Sequence, residues 1–144
     1  MNIFLNKKIL IYGLGKTGLS AFKFLKSKGD IFLYDDLKSN IESSDIKKRI
    51  ITYKKVLKLK FDKIILSPGI DINNCNLSKF LKKNYDKIYS DLDVFYSFYK
   101  NDCITITGTN GKSTTCQLMY EVLLNQKLNV QLVGNIGNPI LSLK

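Results

Sequence analysis

The chain has 144 residues, 44% of them hydrophobic and 24% charged, which is the composition of a protein that folds around a core and excludes a disordered chain. That length holds one good core, or one small domain and the beginning of another. The net charge of +11 suits an anionic partner, but the basic residues are scattered through pairs such as Lys7-Lys8, Lys47-Lys48, Lys54-Lys55 and Lys82-Lys83, as on solvated faces, so nucleic acid is not indicated.

The first residues, before Gly13, have apolar pieces interrupted by Lys7-Lys8 and too short for a signal peptide or membrane span, so a cytoplasmic protein without membrane insertion is expected. Lys8–Tyr12 is a compact apolar run, the form of a strand buried on both faces of a parallel sheet. Leu19, Phe22 and Leu25, flanked by Ala21 and Phe24, then recur at helical intervals, and Gly29 is expected to end that helix as a left-handed cap. Residues 31–34 form the next strand, closed by Asp35-Asp36, which completes a βαβ unit.

Residues 41–49 are expected to be a short helix and Lys63–Leu66 another buried strand, followed by a Ser67-Pro68-Gly69 turn. Residues 77–83 read as a helix and 87–89 as a short strand. Leu92, Phe95, Tyr96 and Tyr99 then lie at helical spacing behind Ser90, a plausible N-cap. Residues 103–107 (CITIT) predict a strand, 113–125 a helix and 129–133 a further strand. Cys75, Cys103 and Cys116 show no CxxC spacing and the chain has no histidine, so neither a disulfide framework nor a zinc site is expected.

Two strand–glycine loop–helix units are therefore present. The fold class expected is α/β: a Rossmann-like parallel sheet over residues 1–92, followed over 93–144 by the beginning of a P-loop ATPase domain.

The sharper of the two loops is Gly108-Thr109-Asn110-Gly111-Lys112-Ser113-Thr114, placed between an apolar run and a helix. Glycines let backbone N–H groups turn inward around phosphate oxygens, and the helix presents its positive end to the same charge. Lys112 can reach the terminal phosphates of ATP, and the Ser113 hydroxyl can ligate Mg²⁺. A chance glycine turn capped by Ser113 and Thr114 is the bland alternative, and the glycine spacing differs from GxxxxGK[ST], so the loop is a variant.

The other loop, Gly13-Leu14-Gly15-Lys16-Thr17-Gly18, is a GxGxxG followed by Asp35 at the end of the next strand. It suits a nicotinamide dinucleotide or a different nucleotide diphosphate equally, or tight helix packing with no ligand. Ser67-Pro68-Gly69 has a rigid proline turn as its plain explanation, and Asn135 a turn amide between glycines.

Taken together, GLGKTGLS, LSPGI at 66–70, GTNGKST after an apolar run and GNIG at 134–137 resemble, in order and spacing, the Mur ligases, most closely those that add D-glutamate. The resemblance implies that Gly15, Lys16 and Thr17 approach the diphosphate of UDP-N-acetylmuramoyl-L-alanine, Asp35 its nucleoside end, and Ser67, Pro68 and Gly69 the neighbouring wall. Asn135 would face the meeting point of the two ligands. Residues 108–114 would hold ATP, with Lys112 catalytic and Ser113 at the metal. Family members often carry a basic residue two places after the second-strand acid; here Leu37 stands there, with Lys38 next.

The implied reaction is amide ligation in peptidoglycan precursor synthesis by an enzyme monomeric in its full form. ATP phosphorylates the carboxylate, and the amine of D-glutamate displaces phosphate. Further parts of such a site are not found here, so these residues alone are expected to be inactive. Another Mur-type amide ligase, a nicotinamide-binding protein and a non-catalytic nucleotide-binding module are the alternatives.

Overall fold

A computed structural model describes residues 2–37, 43–134 and 138–143. Four parallel strands, β1 (Lys8–Tyr12), β2 (Asp30–Tyr34), β3 (Lys63–Leu66) and β4 (Ile88–Tyr89), form a sheet in the order β2-β1-β3-β4. Both β2 and β3 hydrogen-bond to β1, in register Tyr12 with Tyr34 and Tyr12 with Leu66.

Side-chain alternation along these strands builds two cores. Ile9, Ile11, Ile31, Leu33 and Ile65 face one way, onto helices α1 (Lys16–Leu25), α2 (Ser44–Arg49) and α5 (Asp91–Phe98) through residues such as Phe22, Leu25, Ile46, Val94 and Phe95. Leu10, Tyr12, Tyr34 and Ile64 face the other way, onto α3 (Tyr53–Lys58) and α4 (Ser78–Lys83) through Val56, Leu77 and Leu81. The sheet is therefore covered on both faces, which is why its strands read as continuous apolar runs. The lysine pairs at 47-48, 54-55 and 82-83 are exposed, as scattered charge predicted.

Several expectations are corrected. Gly29 is not a left-handed cap: α1 ends at Leu25, and a Cβ at Gly29 would lie 2.6 Å from the Lys7 carbonyl oxygen, so this glycine permits a close backbone approach. Helix α3 was missed because its six residues are too few for the Tyr53, Val56 and Leu57 spacing to repeat, and only Val56 is buried. In the expected 41–49 helix, residues 41–42 lie outside the described ones, and α2 begins at Ser44.

Residues 103–107 and 129–133 are not strands in the described structure. A strand needs a neighbour for its N–H and C=O groups; here Ile104 is 64% exposed, and Val133 forms only an isolated bridge with Asn138. Between these segments runs α6 (Lys112–Asn125), which buries none of its residues.

Candidate functional site

From β1 the chain moves to β2 on one side of it and then crosses back to β3 on the other, so the crevice beyond the carboxyl ends of β1 and β3 is the switch point at which open α/β sheets bind ligands. The turns after these two strands meet there. The Ser67 hydroxyl donates to the Gly13 carbonyl oxygen at 2.8 Å, and the Ser67 N–H donates to the Tyr12 carbonyl at 3.0 Å. This brings Ser67-Pro68-Gly69 beside the glycine turn, as sequence reasoning placed it, with Pro68 and Gly69 exposed at the rim.

The glycines of the first turn divide by role. Gly13 has φ +94, and a Cβ there would stand 2.7 Å from Ser67 Cβ; a Cβ at Gly18 would stand 1.8 Å from the Gly13 carbonyl oxygen. Both are packing glycines. Gly15 is exposed, and nothing lies within 4 Å of an added Cβ, leaving its backbone open to a ligand. Lys16 is exposed beside it and Thr17 half-buried.

Asp35 braces this turn. One carboxylate oxygen accepts the Leu14 N–H and the other the Leu37 N–H at 2.8 Å. Each oxygen keeps lone-pair capacity toward the crevice, but the first duty of Asp35 is to hold the glycine loop against the end of β2. Sequence reasoning missed its neighbour Asp36, whose carboxylate accepts the Tyr12 hydroxyl at 2.5 Å. Burial foremost, then this bond, holds the Tyr12 phenol well above its ordinary range. A buried tyrosine ending β1, with two acids closing β2, is the signal that could have revealed the pair.

The second loop lies apart from this crevice in sequence and is built on different geometry. Gly111 caps α6 in the left-handed region at φ +76, and Gly108 has φ +154, conformations that side chains resist. The Lys112 ammonium bends back onto the carbonyl oxygens of Gly108 and Thr109, while Thr115 Oγ donates to the Gly111 carbonyl at 3.0 Å. Thr109, Asn110, Ser113 and Thr114 are exposed. Asn135 lies outside the described residues.

The helix starts supply the strongest link between the loops. Among the helices of eight or more residues, α5 closes its own N-terminus: the Ser90 hydroxyl accepts the Asp93 N–H, the Asp93 carboxylate accepts the Ser90 N–H at 2.7 Å, and Asp91 adds negative charge. Helices α1 and α6 begin at Gly15 and Gly111 with no side-chain cap and no acid in the first turn. Their first N–H groups therefore have no side-chain cap, the condition in which a helix start can accept an anion.

The residues fit a metal–nucleotide only partly by themselves. Lys112, the α6 amides and the Ser113 hydroxyl suit phosphates and one magnesium ligand, while among the described residues no group of three acids, cysteines or histidines could hold a metal alone. No helix among them is long and apolar enough to cross a membrane.

Comparison with known proteins agrees with this geometry. Residues 7–88 match a family described as Mur ligase MurD-like, N-terminal domain. The chain is 39% identical to the UDP-N-acetylmuramoylalanine--D-glutamate ligase of Rickettsia felis and 40% identical to that of Rickettsia prowazekii, in each case over 100% of this chain and 33% of the relative. The protein of the same name from Lachnoclostridium phytofermentans is 35% identical over 94% of the chain and 32% of its own length. The chain thus spans about a third of the length of the curated relatives it matches. Since the match runs across the four-stranded sheet and both turns that meet at its switch point, the chain belongs to the MurD-like Mur ligases.

Proposed function

We propose that this chain supplies the UDP-substrate site and the ATP loop of an ATP-dependent ligase joining D-glutamate to UDP-N-acetylmuramoyl-L-alanine in the cytoplasm. The single observation that carries the reading is the pair of open helix starts, α1 and α6, in a chain whose other long helix caps itself. Two anion sites suit a substrate diphosphate and a triphosphate; a dehydrogenase would need only the first.

In this reading residues 1–92 bind the UDP end and residues 93–144 begin the ATP unit. The amides of Lys16 and Thr17, with Gly15 open beside them, take the diphosphate, Asp35 the nucleoside end, and Ser67, Pro68 and Gly69 the adjoining wall, with Asn135 between the ligands. The amides of residues 108–114 cradle ATP. Lys112 leaves its own loop carbonyls to neutralise the terminal phosphates, so carboxylate and triphosphate can approach despite like charge. Mg²⁺, when bound at Ser113, supplies further neutralisation of that charge.

Acyl phosphate formation and attack by the D-glutamate amine need groups that the residues named above do not supply, so in this reading the chain binds both ligands without turnover; a monomer is the state proposed for the whole enzyme. Isothermal titration tests the reading: UDP-N-acetylmuramoyl-L-alanine and magnesium–ATP are each expected to bind one site, independently. Binding of NADH in preference to the UDP compound would overturn it in favour of a nicotinamide protein.

A further inference from the structure

Lysines that stand in scattered pairs along the sequence are gathered by the fold. Helices α3 and α4 cover the same face of the sheet, with Val56, Leu77 and Leu81 in one core. α3 carries Lys54, Lys55 and Lys58, and α4 carries Lys79, Lys82 and Lys83; all of these are exposed, and neither helix has an acid. Successive helical residues turn by roughly 100°, so positions two before and two after a buried one point about 160° away from it. Val56 and Leu81 are fully buried, which aims Lys54, Lys58, Lys79 and Lys83 away from the sheet.

The opposite face differs. Asp45 of α2 and Asp91 and Asp93 of α5 stand on its helices, and Asp45 pairs with Lys26 at 3.5 Å and Arg49 at 3.6 Å. Among the described residues no ion pair engages a lysine of α3 or α4. In the segments flanking these two helices, Asp62, Asp71 and Asp86 are matched by Lys60, Lys63 and Lys87, so the helices' own charge stays uncompensated. Charge of one sign on one face repels itself and suits an anionic partner.

The partner's chemistry follows from the side chains present. The two helices hold no arginine, so nothing there offers the planar fork that reads a base edge or grips one phosphate with two bonds. Each is six residues long, about 9 Å, and too short to track a nucleic-acid groove. Lysine ammoniums, as hydrated point charges on flexible stems, suit a diffuse anionic surface. Beside them Tyr53 is 45% and Leu57 49% exposed, one turn apart on one flank of α3. An exposed aromatic and an aliphatic side chain among lysines are the mixture that settles at a lipid headgroup boundary.

We propose that the α3–α4 layer docks on a membrane surface rich in anionic lipid headgroups, lying on the bilayer without entering its core. The crevice stays open in this pose, because α1, whose start lines it, packs on the other face of the sheet. The docking does not depend on which nucleotide the crevice takes.

Co-sedimentation of the 144-residue chain tests it, with vesicles of phosphatidylglycerol and phosphatidylcholine in equal parts against phosphatidylcholine alone. Binding to the mixed vesicles only is expected, weakening as salt rises. Lys54→Gln, Lys58→Gln, Lys79→Gln and Lys83→Gln combined should weaken it at least about tenfold. Lys23→Gln, Lys26→Gln, Lys47→Gln and Lys48→Gln combined remove the same charge from the opposite face and should weaken it less than about threefold. Arginine at positions 54, 58, 79 and 83 keeps the charge and should keep the binding. No binding of the parent to mixed vesicles, equal weakening by the two glutamine sets, or loss of binding in the arginine set would each overturn the proposal. Tighter binding to duplex DNA or to polyglutamate than to the mixed vesicles at equal salt would overturn it in favour of that partner.

Discussion

A Cβ placed on Gly18 would sit 1.8 Å from the carbonyl oxygen of Gly13, so the first turn of α1 closes on the glycine that begins the loop. That distance is far inside van der Waals contact with backbone, which cannot swing aside. Gly18→Ala is expected to destabilise the fold by about 3 kcal/mol or more through overpacking. Gly15→Ala should leave stability within about 0.5 kcal/mol, since Gly15 has φ −70 and open space around it. It should weaken UDP binding instead. Urea unfolding of both variants, paired with UDP titration, separates the packing glycine from the binding one.

Tyr12 gives the fold an alkaline limit. Its phenol is held above the ordinary range by burial first and by Asp36 second. The unfolded chain loses this proton near pH 10, while the folded chain retains it. Stability from this group is thus fully present below about pH 10 and falls as pH rises beyond it. Tyr12→Phe should flatten that fall without abolishing it, because Tyr34 is raised in the same direction, chiefly by burial. At neutral pH the variant should lose about 1–3 kcal/mol, since the Asp36 carboxylate loses its 2.5 Å donor. Unfolding midpoints from pH 7 to 11 would show both effects.

Among the described residues the Lys112 ammonium bonds only to the carbonyls of its own loop, so its removal should not disturb the sheet domain. Lys112→Ala is expected to keep the thermal midpoint of the parent and to lower ATP affinity at least about tenfold, the loss of a charge-assisted contact to phosphate. An equal loss of UDP affinity would show that the loops do not serve separate ligands.

The sheet was legible because buried parallel strands announce themselves as short apolar runs: Lys8–Tyr12 and Lys63–Leu66 have the bounds their sequences indicate. Ser90 was legible as a cap because a hydroxyl residue stands directly before the helical spacing of Leu92, Phe95, Tyr96 and Tyr99, and the structure adds the capping box with Asp93. Residues 103–107 have the same apolar, β-branched character yet pair with nothing described, because strand character is only realised against a neighbouring strand. At the site, the family resemblance, not the residues alone, put Ser67 beside the glycine loop, where its hydroxyl donates to the Gly13 carbonyl. It did not reveal that Asp35 spends both carboxylate oxygens on backbone amides, nor that Leu141, across more than a hundred residues, packs behind the helix that Gly15 begins. Such long-range contacts have no local pattern.

The most direct measurement is an amide chemical-shift titration of the isotope-labelled chain with UDP and, separately, with magnesium and a non-hydrolysable ATP analogue. UDP is expected to move the amides of Gly15, Lys16 and Thr17 at the start of α1, and the ATP analogue those of Gly111, Lys112 and Ser113 at the start of α6, with α5 silent in both. If both nucleotides moved the same helix start, or neither moved any, two open helix N-termini serving two phosphate ligands would be contradicted.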